Sequence, residues 1–296
     1  MKRLAIFAHW DKDSLIEDYV LQYLKGLKSV AEKIIFVSDC DIKQLEQKKL
    51  DGLADYVIAK QHGEYDFGSY KRGFLYAQEN NFLNDVNELI LANDSCYAPL
   101  FPLEDMFNEM SEKTNFWGII KHSYCDREHL QSFFIVLDNN VFNSIAFRNF
   151  INSVCKQNSK WDVISKYEVG LTETLVSAKF SYSEYCKGYD LLFGPPNFYW
   201  KKLIKINKNP FLKTSLIRLN NSNKIYPIGW KRFLKKYTNY PVELIEKDLL
   251  RNQKSLSIIN HILLCLNSLR RSVIKIHFNT GEIVFCEKIL KLKGKK

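Results

Sequence analysis

The feature of this sequence that most constrains its fold is an alternation of short apolar runs with amphipathic segments over the first half of the chain. The apolar runs have the length of buried strands and cover residues 4–8, 34–37, 56–58, 88–92, 116–120 and 132–137. Segments with the apolar period of a helix, such as residues 14–27 and 69–79, lie between them. Because strands that alternate with helices form parallel sheets, the pattern predicts an α/β fold, with a mostly parallel central sheet and helices on both faces.

The chain changes character at about residue 201, where lysines and asparagines become frequent. Helical patterns follow over residues 242–251 and 256–272, and a basic tail covers residues 288–296. We therefore expect a ligand-binding and catalytic unit over residues 1–215 and a helical, basic C-terminal segment over residues 216–296. A segment of the second length either packs on the first unit or forms a module of its own.

Charge, aromatic content and cysteines narrow the classes of function. The net charge is +10 at pH 7 and aromatic residues make up 14%, which favours a phosphate-bearing ligand with a base or sugar ring. The 7 cysteines are scattered and form no CxxC pair, which argues against a disulfide framework or thiolate zinc site. The apolar N-terminal run is soon cut off by charged residues, and the stretch 258–269 is too short to span a bilayer. We therefore expect a cytoplasmic protein, or one peripheral on the inner face of the membrane.

Polar residues follow several of the predicted strands, which is where α/β sheets bind ligands. His9 follows the first strand, Asp39 the second, and Asn93-Asp94-Ser95 the strand at residues 88–92. Carboxylates in such positions bind a base or a ribose, or hold a metal ion that bridges phosphates. An aspartate at a strand end also serves commonly as the N-cap of the next helix, so this alternative stays open.

The segment YDFGSYKRG, residues 65–73, opens a predicted helix with two glycines and two cations, Lys71 and Arg72. Backbone N–H groups at a helix start, together with nearby cations, suit a diphosphate. The segment matches neither the dinucleotide fingerprint GxGxxG nor the P-loop GxxxxGKS/T, so its interpretation depends on its neighbours.

Several segments together resemble the rhamnan synthesis protein F family of bacterial polysaccharide enzymes, with a glycosyltransferase fold of the GT-A type. The matching segments are AIFAHWD, IFVSD, YDFGSYKRG, LILANDSCYAPL and HLQSFFIVL, within about residues 3–215. The resemblance implies a site for a nucleotide sugar across the strand ends. It also implies transfer of a sugar, L-rhamnose from dTDP-L-rhamnose by the family's name, onto a cell-surface polysaccharide such as the O-antigen of lipopolysaccharide, or onto a lipid-linked glycan.

The same resemblance assigns residues to the donor. The implied donor-binding residues are His9, Asp39, Asp66, Gly68, Ser69, Tyr70, Lys71, Asn93, Asp94 and Ser95. Asn93-Asp94-Ser95 occupies the place of the DxD motif that binds a divalent cation, Mg²⁺ or Mn²⁺, and Asp94 is the one carboxylate left to ligate it. The alternative is that cationic side chains, Arg72 and Lys213 among them, neutralise the diphosphate instead.

Glu168 is the implied catalytic base, because inverting sugar transfer needs a carboxylate that takes the proton of the acceptor hydroxyl. Ser165-x-x-Glu168 is also a capping-box pattern, so Glu168 has an alternative as a helix cap. His122, His129 and Gln131 lie at predicted strand edges and are expected to bind hydroxyls of the acceptor or of the donor sugar. Their alternative is a purely structural role.

Two other function classes remain. The charge suggests nucleic-acid binding, but no recognised motif is present and the basic residues concentrate late in the chain, so we expect no nucleic-acid partner. The single carboxylate of Asn93-Asp94-Ser95 suggests a non-catalytic sugar-binding or scaffold member of a polysaccharide assembly complex. The basic tail, residues 291–296, is expected to attract anionic lipid headgroups, which suits a lipid-linked acceptor.

Overall fold

The computed structural model describes residues 1–110, 114–124, 127–188, 199–218, 227–252, 274–277, 282–285 and 288–290. The helix expected over residues 256–272 and the tail at 291–296 lie outside the described residues.

Strands and helices alternate through the first half of the chain, as the apolar pattern predicts. Strands occupy Arg3–His9 (β1), Lys33–Ser38 (β2), Tyr56–Ala59 (β3), Glu88–Asn93 (β4), Cys96–Tyr97 (β5), Phe116–Gly118 (β6), Lys121–Tyr124 (β7), Arg127–Leu130 (β8), Phe134–Asp138 (β9), Tyr182–Glu184 (β10), Leu212–Lys213 (β11), Ile274–His277 (β12), Glu282–Phe285 (β13) and Lys288–Leu290 (β14). Helices occupy Asp18–Lys28 (α1), Gln44–Gln47 (α2), Tyr65–Glu79 (α3), Leu103–Met110 (α4), Asn139–Asn143 (α5), Ile145–Asn152 (α6), Lys160–Val163 (α7), Gly170–Ser177 (α8), Trp200–Asn207 (α9), Thr214–Ile217 (α10), Trp230–Tyr237 (α11) and Val242–Asn252 (α12). A 3-10 turn follows α2 at Lys48–Leu50, and a π-helical turn joins α7 to α8 at Ile164–Val169.

The central sheet has 7 strands in the order β10-β6-β9-β4-β1-β2-β3. Strand β9 is antiparallel to both of its neighbours, β4 and β6, and the remaining pairs are parallel. The prediction of an α/β fold with a mostly parallel sheet is therefore confirmed. The order reverses direction around β1, which places the carboxyl ends of β1, β2 and β4 side by side.

Helices cover both faces of the sheet because alternate residues of each strand point to opposite faces. In β1, Ala5 and Phe7 belong to one hydrophobic cluster, with side chains of α1, α4 and α9. Leu4, Ile6 and Ala8 belong to the second cluster, with side chains of α3, α6 and α8.

The approach of α3 to β1 depends on Gly73. A Cβ atom at this position would lie 2.4 Å from Cγ2 of Ile6, closer than real Cβ contacts come. We therefore expect Gly73→Val to lower the free energy of unfolding by about 1–3 kcal/mol, because α3 must move off the sheet. Urea unfolding followed by circular dichroism measures this change. Glu79→Ala, at an exposed position near the end of the same helix, is the control, and equal stability of the two variants would contradict the packing described.

The C-terminal segment packs on the first unit through α12. The Asp248 side chain is fully buried, and its carboxylate accepts hydrogen bonds from Arg218 Nη2 at 2.6 Å, from Arg218 Nε at 2.8 Å and from the Tyr97 hydroxyl. Leu234 and Ile245 belong to the same hydrophobic cluster as Phe7. The boundary at residue 215 itself stays a prediction.

Arg251, at the end of α12, holds the loop between β1 and α1. Its guanidinium donates to the carboxylates of Asp11 at 2.6 Å, Asp13 at 2.7 Å and Glu17. We call these four residues the Arg251 clasp. Beyond the helices, the segment also contains the antiparallel sheet β12-β13-β14.

Candidate active site

Residues predicted for the site meet at one edge of the sheet, where β1, β2 and β4 end. The register pairs His9 with Ser38 and Ala8 with Asn93, so the residues just past these ends are neighbours in space. The first turn of α3 lies against the same edge, since Asp66 contacts Asn93.

A group of polar side chains, which we call the strand-end cluster, consists of Asp66, Asn93, Ser95 and Lys213. Nδ2 of Asn93 donates to Oδ2 of Asp66 at 2.7 Å, and Oδ1 of Asn93 accepts from the Ser95 hydroxyl at 2.5 Å. Burial raises the pKa of Asp66, and the positive charge of Lys213 opposes that rise. The structure thus brings together residues that lie far apart in the sequence.

Lys213 reaches this cluster because β11 pairs with β5, immediately after Asn93-Asp94-Ser95. The Nζ atom of Lys213 donates to the Ser95 hydroxyl at 3.1 Å and lies 4.0 Å from the centre of the Phe133 ring. Lys213 therefore lies beside Ser95, and its predicted contact with the diphosphate stays a prediction.

Glu168 lies in the π-helical turn between α7 and α8, a kind of turn that is frequent at functional sites. Its Oε1 lies 3.3 Å from Nε2 of His129, and its Oε2 accepts from the backbone N–H of Ser132 at 3.2 Å and from the Ser132 hydroxyl. Burial raises the pKa of Glu168, but these hydrogen bonds and the charge of Lys213 outweigh it and leave the pKa below its usual value. Glu168 is therefore an ionised carboxylate at neutral pH.

The alternative role of Glu168 as a helix cap is wrong. The helical stretch begins earlier, with Ser159 as N-cap, whose hydroxyl accepts from the backbone N–H of Asp162. Ser165 lies inside the stretch, and its hydroxyl accepts from Arg127 at 3.1 Å. The Glu168 side chain therefore does not cap the helix.

The ring of His129 is buried, and both of its nitrogens lie beside acceptors. Nδ1 lies 3.1 Å from the carbonyl oxygen of Arg127 and Nε2 lies 3.3 Å from Oε1 of Glu168, so a neutral ring donates to one of them and a doubly protonated ring to both. The predicted contact of His129 with a sugar hydroxyl stays a prediction. His122 pairs with His129 across the β7–β8 hairpin, with ring centres 5.8 Å apart, and burial lowers the pKa of His122.

Gln131 is half-buried and lines a small cavity of about 20 Å³ together with Lys213 and Phe133. It is the member of the predicted sugar-binding set that lies next to the strand-end cluster. The cavity holds roughly one water molecule, so a sugar would contact its rim rather than enter it.

His9 and Asp39 lie at the adjoining strand ends. The pKa of His9 is lowered to about 4 by burial, so the ring is neutral, and Nδ1 shares a hydrogen bond of 2.9 Å with the Ser38 hydroxyl. Oδ1 of Asp39 accepts from the backbone N–H groups of His62 at 2.5 Å and Gly63 at 2.7 Å. Asp39 therefore fixes the loop before α3, and it caps no helix, since α2 has no side-chain cap.

The residues predicted in the first turns of α3 have mainly structural partners. A Cβ atom on Gly68 would lie 2.3 Å from Cβ of Glu64, so the preceding loop requires glycine. The Ser69 hydroxyl shares a hydrogen bond of 3.1 Å with Nε2 of His62. The buried Tyr70 hydroxyl donates to the carbonyl of Ser132 at 3.0 Å, and its predicted contact with the donor stays a prediction.

Lys71 and Arg72, predicted as cations for the diphosphate, have protein partners, and their predicted role stays a prediction. Nζ of Lys71 donates to the carbonyls of Asn152 at 3.0 Å and Val154 at 2.8 Å, at the end of α6. Arg72 forms an ion pair of 2.8 Å with Glu64. Their long side chains reach partners that the helical position alone does not reveal.

Asp94 fits a divalent cation poorly. Its Oδ2 accepts from the backbone N–H of Trp10 at 2.9 Å, and burial, reinforced by the charges of Asp66 and Asp11, raises its pKa to about 7. Without a cation, Asp94 is therefore partly protonated at neutral pH, and binding of Mg²⁺ or Mn²⁺ would have to displace that proton. Among the residues that the structure describes, no group of three or more His, Cys, Asp or Glu side chains could hold a metal ion.

Sequence reasoning missed Ser132 and Trp10. Ser132 holds Glu168, and its position within the HLQSFF segment was the available signal. Trp10 lies beside Asp94 with its side chain 58% exposed, an unusual exposure for a tryptophan next to a polar cluster.

The mostly parallel sheet and the polar cluster at its carboxyl ends define a GT-A-like α/β protein. The family model described as rhamnan synthesis protein F matches residues 34–277, and the chain belongs to this family. The resemblance found in the sequence is therefore confirmed. Family and fold support a glycosyltransferase-type function in polysaccharide synthesis.

Solved structures show distant likenesses. The glycosyltransferase GlyE of Streptococcus pneumoniae TIGR4 is 14% identical over 86% of this chain and 66% of that chain, with a TM-score of 0.40. A nucleoside-diphosphate-sugar pyrophosphorylase from Vibrio cholerae RC9 is 10% identical over 62% and 90%, with a TM-score of 0.41. A 4-diphosphocytidyl-2C-methyl-D-erythritol synthase is 8% identical over 67% and 95%, with a TM-score of 0.42. Likenesses at these scores carry no weight for function.

A search of curated proteins finds no match to this chain. In the described part of the chain, no helix combines the length and the apolar character that crossing a membrane requires.

Proposed function

We propose that the protein is a glycosyltransferase that moves a sugar from a nucleoside diphosphate donor onto a glycan acceptor. The observation that carries the proposal is Glu168, an ionised and partly buried carboxylate held by His129 and Ser132 within the electrostatic reach of Lys213. A base with a fixed orientation beside a cation is what transfer from a diphosphate donor requires.

The donor lies across the carboxyl ends of β1, β2 and β4, with its diphosphate at the strand-end cluster. Glu168 accepts the proton of the acceptor hydroxyl while the acceptor oxygen attacks the anomeric carbon from the face opposite the leaving diphosphate. His129 and Ser132 keep the carboxylate in one orientation, so the base needs no rearrangement during the reaction.

The family description, rhamnan synthesis, supports L-rhamnose as the sugar and dTDP-L-rhamnose as the donor. The acceptor that we propose is a growing cell-surface polysaccharide or a lipid-linked glycan, handled at the cytoplasmic face of the membrane. The basic C-terminal tail supports this location through attraction to anionic lipids.

A donor-hydrolysis assay tests the function. The full chain is incubated with dTDP-L-rhamnose and with UDP-, GDP- and CDP-sugars, and release of the nucleoside diphosphate is measured. We expect release from one donor class, with dTDP-L-rhamnose the first candidate. If no donor binds and none releases its nucleoside diphosphate, the proposed function is wrong. If only a donor other than dTDP-L-rhamnose is hydrolysed, the function stands and the transferred sugar is a different one.

A non-catalytic, sugar-binding member of a polysaccharide assembly complex is the second candidate. It is favoured by Asp94, the single carboxylate of Asn93-Asp94-Ser95, whose Oδ2 is engaged by the N–H of Trp10. This candidate predicts donor or glycan binding with no release of nucleoside diphosphate, even when acceptor glycans are supplied.

A further inference from the structure

Among the residues that the structure describes, the ammonium group of Lys213 in the strand-end cluster has no ion-pair partner. It donates a hydrogen bond to the Ser95 hydroxyl at 3.1 Å, and one side of the group faces the Phe133 ring at 4.0 Å. Among the described residues, no carboxylate oxygen comes within 4.0 Å of this nitrogen. An ammonium group has three N–H donors, so two remain for an anionic ligand.

The backbone fixes where this cation lies. Lys213 is opposite Cys96 in the β11–β5 pair, and the next residue, Thr214, donates its backbone N–H to the carbonyl of Ser95 at 2.9 Å. The Thr214 hydroxyl donates to the same carbonyl at 3.2 Å. These contacts tie the backbone of Lys213 directly to the chain that follows Asp94, so its side chain extends from a fixed point beside the strand-end cluster.

At this place, one oxygen of each neighbouring carboxylate already has a partner. Oδ2 of Asp66 accepts from Asn93, and Oδ2 of Asp94 accepts from the backbone N–H of Trp10. The positive charge of Lys213 also lowers the pKa of both Asp66 and Glu168 against the effect of burial. In the proposed reaction, Asp66 lies on the side of the donor and Glu168 on the side of the acceptor. The positive charge of the site is thus supplied by the chain itself.

We propose that Lys213 binds the diphosphate of the donor in the role that a divalent cation has in metal-dependent transferases, so that the transfer proceeds without an added metal. The proposal rests on the glycosyltransferase function given above. In the transfer, the bond between the anomeric carbon and the β-phosphate oxygen breaks, and its electron pair remains on that oxygen. The acceptor oxygen forms the new bond to the anomeric carbon and its proton goes to Glu168, while the Lys213 ammonium pairs with the charge left on the phosphate.

Calorimetric titration of the full chain tests the proposal. The ligands are dTDP, UDP, GDP and CDP, each in excess EDTA and again in excess MgCl₂. We expect the nucleoside diphosphate that binds to have the same Kd in both conditions. We expect Lys213→Met, which keeps the apolar stem and removes the charge, to weaken that Kd by about 10- to 100-fold, whereas Lys213→Arg retains most of the affinity.

Lys205→Ala is the matched control, because Lys205 is an exposed cation of the same lysine-rich stretch, on α9. It should leave the Kd unchanged. Binding that disappears in EDTA and returns with Mg²⁺ overturns the proposal while leaving the transferase function in place, and so does wild-type affinity in Lys213→Met. Absence of binding for all four ligands in both conditions contradicts the proposed function instead. Even if Lys213→Met does not fold, the Kd values of the wild-type chain in EDTA and in MgCl₂ show whether binding of the diphosphate needs a metal ion.

Discussion

Replacing Glu168 by glutamine is expected to lower the rate of sugar transfer by about 100- to 10,000-fold, the range associated with loss of a general base. The amide keeps the size of the side chain but cannot take a proton. Since the pKa of Glu168 lies below its usual value, the wild-type rate should hold down to a pH below the usual glutamate range before it falls. The measurement is the pH profile of the transfer rate, with the donor Kd measured in parallel.

Glu173→Gln is the matched control for this substitution. Glu173 is a second glutamate of the same helical stretch, but it is paired with Arg127 at the surface, with 44% of its side chain exposed. We expect it to leave the rate of transfer unchanged. If Glu168→Gln transfers sugar at the wild-type rate, the assignment of the base is wrong, although the fold and the donor site are unaffected.

The second large effect concerns stability, and it comes from Asp248. Asp248→Ala should lower the free energy of unfolding by about 3–5 kcal/mol, because it leaves the Arg218 guanidinium partly buried without its counter-charge. The Tyr97 hydroxyl loses its acceptor at the same time. Urea unfolding followed by tryptophan fluorescence gives the midpoint and the slope from which the change is calculated.

Glu246→Ala is the control, since Glu246 lies on the same helix and pairs with Lys231 at an exposed position. A surface pair contributes about 0–1 kcal/mol, so this variant should stay close to wild type. Replacing both members of the buried pair, with Arg218→Met and Asp248→Leu together, should recover part of the lost stability. Equal effects of Asp248→Ala and Glu246→Ala would show that α12 is not held by its buried ion pair.

Six of the seven strands of the central sheet could be predicted, because burial in a sheet selects apolar runs. The seventh strand, β10, was not predicted, since Tyr182–Glu184 contains no apolar run. The direction of β9 could not be predicted, because an apolar run reads the same whether its strand is parallel or antiparallel to its neighbours. The apolar pattern of residues 141–155 favours a single helix, but the structure divides this region into α5 and α6. The break falls at Ser144, which caps α6.

The site was predicted best where the backbone alone decides the position of a residue. Asn93 and Ser95 follow a strand end, and they lie where the strand pattern places them. The partners of Lys71 and Arg72 could not be predicted, because a long side chain can reach several groups, here carbonyls at the end of α6 and the carboxylate of Glu64. The π-helical turn that carries Glu168 leaves no recognisable pattern in a single sequence, which is why a capping box was an equal alternative.

The Arg251 clasp has a consequence for the order in which the protein matures during synthesis. Arg251 binds Asp11, a residue that leaves the ribosome 240 positions earlier. At roughly 5–20 residues per second, the loop after β1 waits on the order of ten to fifty seconds for its partner. The backbone N–H of Trp10 that engages Asp94 belongs to this loop. A nascent chain can therefore build its sheet early, but this side of the donor site becomes complete only when α12 has emerged and docked.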